Sequence, residues 1–188
     1  MSEKLEQLDQ VFVGLVKKSW QYHNEVIRNT YLDDMLVGAV IASTVEIGYS
    51  LIDLNSDGQN HYLRFEHLPT KVRVIFRLKN LAEDLLTAKV LGRHAQVIIG
   101  YGIMTPNFSS IWQTLKAEIK SSFLDTSEPG IITCDADITA GYIYAQVTLI
   151  LNLDDYFKAN FQIDQTLLQQ HIQATLHSLE KYLRGRLQ

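Results

Sequence analysis

From Ile143 to Leu153 every second residue is apolar: Ile143, Ala145, Val147, Leu149, Leu151 and Leu153. Between them stand Tyr144, Gln146, Thr148, Ile150 and Asn152. A period of two marks a strand with one buried face. The preceding run does the same, with Ile132, Cys134, Ala136 and Ile138 alternating with Thr133, Asp135 and Asp137. Two such runs around Thr139-Ala140-Gly141 predict a β-hairpin. Matching the faces sets Ile138 opposite Ile143, Ala136 opposite Ala145, Cys134 opposite Val147 and Ile132 opposite Leu149. A one-residue slip would mix the faces. The dry face needs a cover, and amphipathic helices elsewhere in the chain can supply it.

Those helices are readable by their three- and four-residue spacing. Leu5, Leu8, Phe12, Leu15 and Val16 predict a helix over residues 2–29. Asn80 and Glu83 have capping-box spacing at the head of a second, over 80–91, with Gly92 as its stop. Thr105-Pro106 opens a third that runs to about 124, with Phe108, Ile111, Trp112, Leu115, Ile119 and Phe123 on one stripe. The last is the best signalled. Asp164 caps it, Ile163 and Leu168 form a hydrophobic staple, and Leu168, Ile172, Leu176, Leu179, Leu183 and Leu187 make a narrow stripe.

The remaining segments read as strands and turns. Residues 36–54 alternate larger apolar residues (Val37, Ala39, Ile41, Val45, Ile47) with smaller or more polar ones, which predicts a long strand. The turn Asn55-Ser56-Asp57-Gly58 breaks it. Return strands follow over 61–67 and 71–78, and 94–101 reads as another, ended by Gly100 and Gly102. Residues 154–160 read as a polar loop. The sum is one α+β domain over 1–188, an antiparallel sheet covered by amphipathic helices in the order α-βββ-α-(β)-α-ββ-α.

Composition narrows the class. The chain is 46% hydrophobic and 20% charged, which is ordinary for a folded domain. Net charge is −4, with 17 basic and 21 acidic residues, so there is no basic excess to displace counterions from nucleic acid. The single cysteine, Cys134, precludes an internal disulfide and fits a reducing, cytoplasmic compartment. Its place on the dry face makes it a small buried hydrophobe rather than a nucleophile. The N-terminus has no basic stretch followed by an apolar run, so no secretory signal is expected. Met35 to Ile52 is long enough to suggest a membrane span, but Glu46 and the alternation argue against one.

Asp53, Asn55 and Asp57 stand at positions one, three and five of an EF-hand-like loop, with Gly58 at six. Position twelve, which needs a bidentate acid, is Arg64, and a plain Asp-Gly turn explains the same residues. Asp135 and Asp137 share a strand face, opposite Tyr144 and Gln146 in the register above, where they read as solvated. His61 and His67, like His171 and His177, are six apart, which is no zinc pattern. Glu118-Ile-Lys120 has nuclease-tail spacing but lies on a predicted helix. Tyr142, Tyr144 and Thr148 fall on the outward face of the hairpin and suit a contact surface. No residue is assigned a catalytic, cofactor-binding or metal-ligating role.

In its order of elements the chain resembles the YbjN-like proteins and the type III secretion chaperones, which run helix, three strands, helix, two strands, helix. The acidic balance and the segment from Gly130 to Leu187 are similar in style, while residues 92–124 are an addition. The resemblance implies a small, dimeric, non-enzymatic protein that binds another protein. Two readings follow. The first is a cytoplasmic protein-binding or regulatory domain that self-associates as a homodimer, without cofactor and without nucleic acid or membrane as partner. The second is a small metal-dependent or other enzyme whose site is assembled from distant residues, with Asp53, Asp57, Asp135, Asp137 and the histidines as first suspects.

Overall fold

The computed structural model describes residues 32–79, 94–118, 130–137, 139–156 and 162–187. The helices expected over 2–29 and 80–91 lie outside the described residues. The rest builds one sheet of six strands, all antiparallel, in the order β1-β2-β3-β4-β6-β5. The strands are β1 (Ser50–Ser56), β2 (Asn60–His67), β3 (Val72–Lys79), β4 (His94–Met104), β5 (Ile132–Asp137) and β6 (Tyr142–Asn152). Helices α1 (32–46), α2 (Phe108–Glu118), α3 (Leu153–Tyr156) and α4 (Gln165–Leu187) complete the described chain. The α+β class and the helix-covered antiparallel sheet are as the pattern predicts.

One long element is different. Residues 36–46 are helix, not strand, and the strand is confined to β1. The reason lies in four-residue spacing: Leu32, Leu36 and Val40 are buried, and Thr44 follows them on the same face. The alternation in this stretch arises because apolar residues surround much of the helix. Gly48, at φ 98°, ends it, and Tyr49 N–H donates to the Thr44 carbonyl at 3.2 Å.

The core lies between one face of the sheet and helices α1 and α4. Leu63 and Phe65 on β2, Val74, Phe76 and Leu78 on β3, Val97, Ile99 and Tyr101 on β4, and Ile143 and Ala145 on β6 form that face. Leu168, Ile172, Leu176, Leu179 and Leu183 of α4 are all buried in the same cluster. The cap of α4 is as expected: Leu167 N–H donates to Asp164 Oδ1 at 3.1 Å. Ile163 is partly buried and packs against the core cluster that contains Leu168. Fully burying each such aliphatic side chain contributes about 1.5–3 kcal/mol, so the α4 stripe is a principal fastening of the fold. Phe108, Ile111 and Trp112 of α2 also pack against this cluster. The expected continuation of α2 beyond Glu118 lies outside the described residues.

The hairpin has the predicted faces and a different register. Ala136 is opposite Ile143, Cys134 opposite Ala145 and Ile132 opposite Val147, a shift of two residues from face matching alone. A two-residue slip keeps every side chain on its own face, so periodicity cannot detect it. The turn decides. Gly141 takes φ 71°, its N–H donates to the Asp137 carbonyl at 2.9 Å, and Ala140 N–H donates to Asp137 Oδ1 at 3.0 Å. Asp137 is thereby paired with Tyr142. Two further expectations are revised. Gly100 and Gly102 lie inside β4, which runs on to Met104. The segment after β6 begins with the short helix α3 rather than a loop.

Candidate functional site

The second face of the sheet is polar, and the candidate site lies on it. Reading across the paired strands, Glu66, Arg73, Gly102, Tyr144 and Asp135 form one row. Arg64, Ile75, Gly100, Gln146 and Thr133 form the next, and Tyr62, Arg77, Ile98 and Thr148 a third. This arrangement follows from strand alternation: the core face takes the odd members of β2 and the even members of β3. Arg73 and Arg77 are therefore placed outward by the same pattern that buries Val74 and Phe76.

One end of the face is tightly tied. Glu66 accepts from Arg73 Nε at 3.3 Å and from Lys71 Nζ at 3.4 Å. Burial opposes ionisation of Glu66, but the hydrogen bonds from Arg73 and Lys71 hold its carboxyl below the usual range. The Arg73 guanidinium sits 4.1 Å from the centroid of the Tyr142 ring, a cation–π contact. Tyr142 stacks on Tyr144, with centroids 5.9 Å apart and planes at 26°, and its hydroxyl donates to the Lys71 carbonyl at 2.9 Å.

These contacts overturn the outward reading of Tyr142, Tyr144 and Thr148, all of which are buried. Tyr142 is covered by Arg73, and Tyr144 lies across Gly102, its partner in the neighbouring strand. Burial raises both phenols above their ordinary value. The aromatic pair is thus internal packing between β6 and the outer charges of β2 and β3.

The other end is open. A cavity of about 260 Å³ lies over Gly100. Ile75 and Ile98 give it apolar sides, Tyr144 and Tyr62 aromatic ones, and Arg77, Gln146, Asp135 and Asp137 polar ones. Asp135 and Asp137 face Tyr144 and Tyr142, not Tyr144 and Gln146. Nor is Asp135 a solvated carboxylate. Burial, with Asp137 adding to it against a hydrogen bond from Ala136 N–H, pushes its pKa up to about 6.

The other sequence candidates are dispersed. Asp53 and Asn55 hydrogen-bond to each other at 3.3 and 3.4 Å, and Arg64 stands 4.0 Å from Asp53. Asp57 accepts from Gln59 N–H at 2.9 Å, Asn60 N–H at 2.7 Å and the Tyr62 hydroxyl at 2.8 Å. The Tyr62 hydrogen bond chiefly holds its carboxyl below the usual range. These bonds make a hairpin turn, with Gly58 at φ 86°. His61 meets the buried Asp33 of α1 at 2.5 Å, His67 meets Thr70 at 2.7 Å, and His171 meets Tyr156. Cys134 is buried as expected, which raises its thiol pKa. No group of three metal-ligating side chains is found among the described residues, and no described helix is long and apolar enough to cross a membrane.

Sequence reasoning marked Asp135 and Asp137 but missed Arg77, Gln146 and Gly100. A glycine between the strand-forming residues Ile99 and Tyr101 was the available signal for the third.

Fold and site together define an α+β protein whose sheet has one helix-covered face and one charged face with a cavity. The MJ1278 domain model matches residues 11–188, and the chain belongs to that family. It is 30% identical over 177 residues to the uncharacterized protein MJ1279 of Methanocaldococcus jannaschii, a match that spans 94% of each chain. No solved structure matches the chain.

Proposed function

We propose that this is a cytoplasmic, non-enzymatic protein-binding domain that self-associates as a homodimer, with a second copy pairing along the outer edge of β1. The observation that carries the reading is the apolar character of that edge. Leu51, Ile52 and Leu54 are 37%, 46% and 50% exposed on the outermost strand of the described sheet. Edge strands are commonly guarded by charge, proline or a bulge; β1 has no lysine or proline, and its guards are Asp53 and one bulge. A bulge between Leu51 and Asp53 leaves Leu51 opposite Phe65 and Leu54 opposite Leu63, so both leucines lie on the helix side of the sheet. Val45, at the end of α1, is also exposed. Antiparallel pairing of β1 with its own copy is self-complementary. It would join the two sheets and bring these side chains together out of water.

The non-enzymatic part of the reading is supported by the histidines described above and by Asp57. The three histidines described above and Asp57 are engaged in structural hydrogen bonds. The buried, unpaired Cys134 suits a reducing compartment. The resemblance to dimeric secretion chaperones points the same way.

Light scattering across a dilution series tests the proposal. The expected result is a dimer mass that falls to the monomer mass in Leu54→Lys, with the unfolding temperature of the monomer retained. A monomer at every concentration, or a dimer indifferent to both Leu54→Lys and Ile52→Pro, would overturn it.

A further inference from the structure

Gly100 sits in the middle of β4, paired to Ile75 on one side and Gln146 on the other. Glycine at such a position weakens a strand by roughly 0.5–1 kcal/mol relative to alanine. Nothing local requires it. Its φ is not among the positive ones, and a Cβ placed there would meet Gln146 Cβ and Ile75 Cβ at an ordinary 3.8 Å. The missing side chain is what leaves the space above the sheet. A mid-strand glycine with no steric reason of its own is the mark of a place where something else approaches the backbone.

We propose that this cavity binds a small ω-amino acid, its ammonium held by Asp135 and Asp137 and its carboxylate by Arg77. The size suits such a ligand, since about 260 Å³ corresponds to the share of about nine water molecules. Charge is divided along the cavity. The acids stand on β5 and the guanidinium on β3, with β4 and β6 between them. Across the sheet their backbones are three interstrand steps of about 4.8 Å apart. Asp135 and Arg77 also stand two rows apart along the strands, so the diagonal is roughly 20 Å. Spanned from both ends by the side chains, it favours a ligand whose own charges are separated by several methylenes. Ile75 and Ile98 line the stretch between and match a short alkyl chain.

The polar groups are available for this role. Each carboxylate accepts one local backbone hydrogen bond, Asp135 from Ala136 and Asp137 from Ala140, and has acceptor capacity to spare. Arg77 has no carboxylate partner among the described residues, in contrast to Arg73, which is occupied by Glu66 and Tyr142. The site is independent of the β1 edge, so it stands or falls separately from the dimer.

Calorimetric titration with β-alanine, γ-aminobutyrate and ε-aminocaproate, alongside butyrate and n-butylamine, tests the assignment. At least one ω-amino acid is expected to bind, and removing either charged end is expected to weaken binding by about tenfold or more. Gly100→Leu fills the cavity and abolishes the heat, while thermal unfolding confirms that the variant is folded. Gly100→Ala provides a second, milder variant. Arg77→Gln removes the preference for the zwitterion over butylamine, and Asp135→Asn removes the preference over butyrate. Absence of heat with all three ω-amino acids at millimolar concentration overturns the proposal. So does equal binding of the singly charged probes, or binding that survives Gly100→Leu unchanged.

Discussion

The ring of Tyr144 occupies the space where a side chain of Gly102 would begin. The two residues are directly paired across β4 and β6. A Cβ on Gly102 would stand 2.9 Å from Tyr144 Cζ, with Cε1 and Cδ1 nearer still. The glycine is therefore a steric requirement of the tyrosine, which in turn is held by its stack on Tyr142. Two residues along the same strand, Gly100 meets no such demand, and the contrast separates packing from vacancy.

Gly102→Ala is expected to destabilise the protein by about 1–3 kcal/mol, because the aromatic stack has to shift. Gly100→Ala is expected to be neutral or to gain about 0.5–1 kcal/mol. Urea unfolding of the two variants checks this, and equal effects would contradict the geometry.

Asp135 predicts an unusual pH dependence. Its folded pKa of about 6 lies above the ordinary 3.8, mainly through burial. Between these values the folded state binds more protons than the unfolded state. Its contribution to stability therefore falls as pH rises through the window from about 4 to 6, the reverse of a salt-bridged aspartate. Asp135→Asn should flatten that slope and stabilise the protein above pH 6 by about 1–3 kcal/mol. Thermal unfolding measured across the window tests both statements.

The helical reading of α1 makes its own prediction. Leu36→Ala should cost about 2–5 kcal/mol, because the side chain is 1% exposed in the core. Val45→Ala should lie within about 0.5 kcal/mol of wild type in the monomer. A strand over the same residues would bury Val45 with Val37 and Ile41, so a large effect at Val45 would contradict the helix.

For the turn at Asp57 the expected outcome is structural. Asp57→Ala removes three hydrogen bonds and lowers the unfolding temperature. Adding calcium or a chelator leaves the unfolding temperature of the wild type unchanged. A calcium-dependent rise lost in Asp57→Ala would restore the metal-loop reading.

Much of the architecture was legible, and the failures have definite causes. The β2 and β3 strands, the cap and stripe of α4, and the faces of the hairpin follow from short-range patterns that burial enforces. Register did not, because a slip of two residues leaves period two intact and only the φ of Gly141 and the Asp137 bonds select one solution. The stretch 36–46 misled because Val37, Ala39 and Ile41 alternate while Leu32, Leu36 and Val40 repeat at four. For so apolar a run the partner decides, and the partner is distant in sequence. The same distance hid the cavity. Asp135 carries a recognisable chemistry alone, whereas Arg77 and Gly100 acquire theirs only when β3, β4, β6 and β5 are laid side by side.

The strand order also constrains how the chain reaches this state. The β1–β3 meander and the β5–β6 hairpin close through neighbouring residues. The seam between β4 and β6 joins Met104 to Tyr142 at one end and His94 to Asn152 at the other. It is the longest ladder in the described sheet, and it forms only after a long loop has been closed. Until it forms, two half-sheets each expose a raw edge along their apolar faces. Folding should therefore be limited by this late docking, and the β4 and β6 edges are where unfinished chains would stick to one another.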